Sequence, residues 1–280
     1  VEQKVVVAVT DAAVSRRVVD WAVDRAAERG DRLELISVVD GAVGVGEEDL
    51  VVDWAQEWTE DVLRNHAERV RARGVPVEVR LDRGRPVERL IAASEDASLL
   101  VIGSDYRGTE SRPARGPHGM RIAAGAHCPV VVVPDLDLTG RSGVVVGVDG
   151  SEASESAIAF AAADADRSGE ALTAVSTWSP IAIPLSVRSY PEGYLRNMQT
   201  LTEEALGISM AGISTRYPDV KVRRVVESSE RPETVVNRLA SGARLCVIGS
   251  HGRGRLARFL LGSTSQQVLL RLATATVVVR

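Results

Sequence analysis

The sequence predicts an α/β protein built from two tandem doubly wound domains, each with five parallel strands and intervening helices. Three observations carry this. First, the chain repeats itself: VVVAVTDAAVSRRVVDWAVDRAAERGDRLELISVV from Val5 lies over VVVGVDGSEASESAIAFAAADADRSGEALTAVSTW from Val144 at an offset of 139. Downstream, Arg85-Pro86 matches Arg231-Pro232, and Leu100-Val101-Ile102-Gly103-Ser104 matches Cys246-Val247-Ile248-Gly249-Ser250, both at an offset of 146. The slip of seven residues is an insertion in the second copy, and a period this long marks a duplicated domain rather than a solenoid unit. Second, β-branched runs alternate with amphipathic stretches through both copies. Third, those runs are continuously apolar, as strands buried on both faces of a parallel sheet must be.

Taken in order, the first strands are expected at 5–9 and 144–148, the second at 33–39 and 172–178, and the third at 75–81 and 220–226. The fourth follow at 99–102 and 245–248, the fifth at 130–133 and 277–279. After the first strand comes a helix with Val14, Val18, Trp21 and Ala22 on one stripe; Gly30 and Gly169 stand where these helices stop. A long helix over 48–73 carries Val51, Trp54, Trp58 and Val62 on one face and is acidic on its outer face. Seven carboxylates fall between Glu47 and Asp61 with no base, which reads as a solvated surface. The inserted segment 180–194, with Pro180, Pro184, Tyr190 and Pro191, is expected to form an irregular lid or interface loop. The domains are expected at 1–134 and 143–280, joined by a polar, glycine-containing stretch.

Composition narrows the function classes. The 280 residues are 45% hydrophobic and 26% charged, which excludes disordered, collagenous and disulfide-scaffold chains. Cys128 and Cys246 each sit in an apolar run and read as buried thiols. No apolar run reaches the roughly 18 residues of a membrane span, and the opening VEQKVVVAV is too short, before Asp11, for an export leader. A cytoplasmic location without a membrane partner is expected. A pI near 5.7 and 4% aromatic residues disfavour nucleic acid. Lys4 and Lys221 are the only lysines and neither follows glycine, so the phosphate-binding loop that ends Gly-Lys is excluded. Residues 1–140 hold 18 basic and 25 acidic side chains, a net −7, whereas residues 141–280 sum to +3. The second half is therefore the place to look for an anionic ligand.

In an open parallel sheet, ligands sit beyond the carboxyl ends of the strands where the winding reverses, so the segments after strands one and four matter most. In the second copy these are Asp149-Gly150-Ser151 and Gly249-Ser250-His251-Gly252-Arg253-Gly254, followed by Arg255, Arg258 and Gly262-Ser263-Thr264-Ser265 opening the last helix. Glycines let main chain approach a phosphate, and a helix amino terminus offers free N–H groups and the positive end of a dipole. Asp149 can accept from a ribose hydroxyl or hold a divalent cation. Together these predict a cradle for a nucleoside triphosphate.

The spacing Gly249-x-x-Gly252, nine residues, then Gly262-Ser263, with Val148-Asp149-Gly150-Ser151 upstream, resembles the universal stress protein family over the whole chain, as two tandem copies. The resemblance implies a sheet order of 3-2-1-4-5 with helices on both faces, and binding of ATP with Mg2+. By the same resemblance Asp149 would contact the ribose or the metal. Val148, Gly150 and Ile248 would line the site, and Val175 would hydrogen-bond adenine through its backbone. Gly249, Gly252, Gly262, Ser263 and Thr264 would hold ribose and phosphates. The family also implies that the two copies pair about a pseudo-dyad and that two chains can associate as a homodimer.

The first copy departs from the motif: Thr10 stands in the place of Asp149, Tyr106 of Gly252 and Pro117 of Ser263. It loses a carboxylate, gains a ring on the phosphate path, and loses an N–H and a hydroxyl at the helix start. ATP is therefore expected in the second domain only. His66 is expected at the surface, His127 is a weak zinc-ligand candidate without further ligands nearby, and His118 belongs to the altered loop. His251, in the phosphate turn, could touch phosphate, and Ser263 could receive one. No nucleophile has an identifiable base. The sequence thus reads as an ATP-binding regulatory protein with little or no turnover. An adenine-nucleotide hydrolase or adenylyl transferase and a nucleotide-free dimeric scaffold are the alternatives.

Overall fold

The computed structural model describes residues 2–40, 48–104, 118–181, 189–228, 230–252 and 260–280. The chain divides into two compact units, Val1–Asp137 and Leu138–Ala257 with Leu261–Arg280. In the first, strands β1 (Lys4–Ala8), β2 (Arg32–Val39), β3 (Val77–Arg83), β4 (Leu99–Gly103) and β5 (Val130–Val133) alternate with helices α1 (Val14–Arg29), α2 (Glu48–Arg71), α3 (Pro86–Ala93) and α4 (His118–Gly125). The second repeats this with β6 (Val144–Gly147), α5 (Glu152–Ser168), β7 (Leu172–Thr177), α6 (Tyr194–Ser209) and a single turn α7 (Ile213–Arg216). It closes with β8 (Val222–Glu227), α8 (Pro232–Ala240), β9 (Leu245–Gly249), α9 (Ser263–Leu270) and β10 (Ala275–Val279).

The first sheet runs β3-β2-β1-β4-β5, the order 3-2-1-4-5, and the pairs β1 with β2 and β1 with β4 are parallel. In the second unit the parallel pairs β7 with β8, β6 with β7, β6 with β9 and β10 with β9 build the same order. In such a sheet, crossovers that change direction at the first strand put helices on both faces. The central strands supply the core: Val5, Val6, Val7, Leu100, Val101, Val145, Val146, Cys246 and Val247 are all buried. The strands at the β3 and β8 ends carry Arg80, Arg223 and Arg224 outward, charges that discourage further strand pairing. Both cysteines are core thiols. Burial pushes Cys128 up to about 11 and Cys246 up to about 12, so neither is a nucleophile at neutral pH.

Helix starts follow local chemistry. Ser151 caps α5, its hydroxyl accepting from the Ser154 N–H at 3.2 Å, and Glu152 and Glu155 complement the dipole in the first turn. Pro86 and Pro232 occupy the first positions of α3 and α8, where a missing N–H costs nothing.

Two expectations fail. Trp54 and Trp58 do not face the core: they are 64% and 53% exposed, and α2 instead buries Leu63, Ala67 and Val70. At 3.6 residues per turn Trp54 and Trp58 point roughly 120–180° away from Leu63, Ala67 and Val70, so the stripe picked out in the sequence lies opposite the face that meets the sheet. His66 is half-buried rather than at the surface, and burial together with the Arg69 charge lowers its pKa. The third strands begin two residues later than expected. In the insertion, Tyr190 donates to the Ile181 carbonyl at 2.8 Å and stacks on Tyr194 with ring centroids 5.1 Å apart. Residues 182–188 lie outside the described residues, as does any lid they would form.

Candidate functional site

A cavity of about 630 Å³ opens in the second unit beyond the carboxyl ends of β6, β7 and β9. The doubly wound topology puts it there: β6 and β9 are neighbours, and the connections leaving them depart to opposite faces, opening a crevice. Val148, Asp149, Val175, Ile248, Gly249, Gly252, Gly262, Ser263 and Thr264 all line it. Gly150 does not; its φ of +76° turns the chain from β6 toward α5, and its role is conformational.

The floor is main chain. An ideal Cβ on Gly249 would stand 3.0 Å from Ala153, where α5 begins, so a side chain there would push helix and strand end apart. A Cβ on Gly252 would stand 2.7 Å from Asp149 Oδ2. The Gly262 N–H donates to the Ser250 carbonyl at 2.8 Å and the Ser265 hydroxyl to the Gly249 carbonyl at 2.7 Å, which ties the start of α9 to the end of β9. No side chain caps α9. Its first-turn N–H groups, at Ser263 and Thr264, border the cavity with the positive end of the helix dipole.

Asp149 is held by its own turn: Oδ1 accepts from the Ser151 N–H at 3.0 Å and from the Ser151 hydroxyl at 2.6 Å. It is the one carboxylate among the described lining residues. His251 also lines the cavity. Its Nδ1 lies 2.9 Å from the Ser250 hydroxyl, and Nε2 has no partner among the described residues. The Val175 carbonyl already accepts the Val148 N–H at 2.8 Å, which leaves one lone pair of that oxygen for a further partner. Arg253, Gly254, Arg255 and Arg258 lie outside the described residues.

Sequence reasoning missed one wall. Trp178, Met198, Leu201, Thr202 and Ala205 line the cavity from the end of β7 and from α6. The insertion before α6 breaks the alignment with the first copy, although the spacing of Met198, Leu201 and Ala205 is that of one helical face. The Trp178 indole N–H donates to Gln199 Oε1 at 2.8 Å, which fixes the ring beside that wall.

The first unit keeps the turn but not the charge. The Thr10 hydroxyl accepts from the Ala12 N–H at 3.2 Å, the contact that Asp149 makes with Ser151 through a carboxylate. Gly103 likewise matches Gly249: its Cβ would stand 2.9 Å from Val14. Tyr106 and Pro117 fall outside the described residues. Among the described residues no group of three or more His, Cys, Asp or Glu side chains could hold a metal; the His127 imidazole lies 3.9 Å from Glu95. No helix of the described residues is long and apolar enough to cross a membrane.

Comparison with known proteins agrees with this architecture. The model of the universal stress protein family matches residues 2–134 and again 141–280. A universal stress protein of Mycobacterium tuberculosis is 37% identical over 199 residues, 70% of this chain and 66% of that protein's length. A second one from the same organism is 30% identical over 289 residues, covering 99% of this chain and 96% of the relative. The crystal structure of a universal stress protein from Archaeoglobus fulgidus superposes with a TM-score of 0.75 at 20% identity, over 99% of this chain and 96% of that one, a likeness of fold. With both halves matched and a relative aligned along nearly its full length, the chain belongs to the universal stress protein family, as a tandem pair of its domains.

Proposed function

We propose that the second unit binds an adenine nucleotide, ATP with Mg2+, and that the protein acts as a regulator responding to nucleotide occupancy, with little or no turnover. One observation carries this: an uncapped helix amino terminus and a glycine-lined floor meet at a single cavity that also holds one oriented carboxylate. Phosphates suit the α9 end, where N–H groups and dipole act together. The apolar wall of Val175, Val236, Ile248 and Met198 suits a base, and Asp149 suits a ribose hydroxyl. Mg2+ keeps most of its ligands as water and phosphate oxygens, so the single carboxylate of Asp149 is enough to join its shell. Low turnover is in keeping with a lining whose carboxylate is already engaged by Ser151 and whose imidazole Nδ1 faces Ser250.

Titration calorimetry with ATP and Mg2+ tests the proposal. One nucleotide per chain is expected, with affinity falling by about ten-fold or more, roughly 1.4 kcal/mol, in Asp149→Ala and unchanged in Thr10→Ala. Two equivalent sites per chain, or no binding at millimolar ATP, would overturn it.

A further inference from the structure

The outward tryptophans of α2 do not line the cavity of the second unit. Their rings stack with centroids 6.2 Å apart and planes 23° from parallel. Trp54, Glu57, Trp58 and Asp61 recur at three, four and seven residues, so they share one stripe, and all four are exposed. Asp61 pairs with Arg64 at 2.7 Å, whereas Glu57 makes no ion pair among the described residues. The stripe is thus an aromatic rail edged with negative charge. A lone exposed apolar residue is ordinary, but two adjacent indoles leave a large apolar area in water. Tryptophan is also the residue most enriched where protein surfaces bind tightly.

We propose that this face of α2 docks a protein segment in which arginine or lysine is interleaved with apolar side chains. Charge complementarity selects that occupant. A guanidinium lies flat over an indole face and is drawn by the carboxylate beside it, so one arginine satisfies both features of the stripe. Residues 1–140 carry a net −7, which favours approach of a cationic segment from a distance. The same charge opposes an anionic membrane surface or nucleic acid, and it opposes α2 of a second copy, whose stripe bears the same sign. The inference is independent of the nucleotide proposal.

The test uses the full chain and two synthetic helical peptides, one of arginine and leucine and one with glutamine in place of every arginine, with binding read by calorimetry. The arginine peptide is expected to bind, and the glutamine peptide to bind at least about ten-fold more weakly. The double variant Trp54→Ala/Trp58→Ala should also lose at least about ten-fold, because truncating buried aromatic anchors removes most of an interface's energy. Glu57→Lys leaves both rings in place and should weaken binding at about 0.05 M salt more than at about 0.5 M. Equal affinity of the two peptides, or of wild type and the tryptophan variant, overturns the proposal. So does sedimentation showing a dimer that Trp58→Ala dissolves, since a second copy would then be the occupant.

Discussion

Replacing Gly252 by alanine adds one methyl group to the floor of the cavity, 2.7 Å from Asp149 Oδ2. The backbone there accepts an L side chain, since Gly252 is not among the glycines of positive φ, so the whole effect runs through the carboxylate. Asp149 cannot simply swing aside. Its other oxygen is held by the Ser151 N–H and hydroxyl at 3.0 and 2.6 Å, and a rotation that relieves the clash loosens both. Hydrogen bonds to a charged group contribute about 1.5–3 kcal/mol each, so misplacing this carboxylate should weaken nucleotide binding by about ten- to hundred-fold. Thermal unfolding with ATP and Mg2+ reads this directly. At a hundred times the dissociation constant the wild-type complex gains about 2.7 kcal/mol, and a variant bound about thirty-fold more weakly gains about 0.9 kcal/mol at the same ligand concentration. At about 2–4 °C per kcal/mol, the shift should fall from about 5–10 °C to about 2–4 °C, in the transition of the second unit. An undiminished shift in Gly252→Ala would refute the argument that Gly252 leaves room for an Asp149 positioned to meet ligand.

Two further outcomes test the scaffold. Arg244→Leu removes the cation from Asp164, which is 2% exposed and lies 2.7 Å from the guanidinium, and from Glu170 at 2.9 Å. The loss should be about 2–4 kcal/mol in urea denaturation, somewhat below that of a fully enclosed pair because Arg244 is partly exposed; a loss under about 1 kcal/mol would show that the pair is well solvated. His66 has a folded pKa below 6.5, lowered by burial and by Arg69. Between those two values the unfolded chain holds more protons, so wild-type stability should fall as pH drops below about 6.5 and level off beneath the folded pKa. His66→Gln should lack that component, so the stability difference between the two proteins should change between about pH 7.5 and pH 5.5; parallel pH profiles would contradict it.

Much of the architecture was legible in the residues because it is encoded locally and twice. Continuous valine runs such as Val130–Val133 are compatible with little other than a strand covered on both faces, and the repeat at offsets of 139 and 146 fixes two copies without any contact information. Nine of the ten proposed site residues line one cavity because they sit at the ends of strands one, two and four and at the last helix, and the winding of an open parallel sheet brings those ends together. Three features depended on tertiary packing. Which face of α2 turns inward was decided where the helix meets the sheet, at Leu63, Ala67 and Val70, and the two tryptophans lie on the opposite side of the helix. The wall of Trp178, Met198 and Leu201 follows an insertion, so the repeat offered no template for it. The steric reason for glycine at position 252 is the carboxylate of Asp149, 103 residues earlier in the chain, and only the folded backbone brings the two within van der Waals distance. Sequence periodicity determines which residues can share a face; the packing of one element against another determines what that face meets.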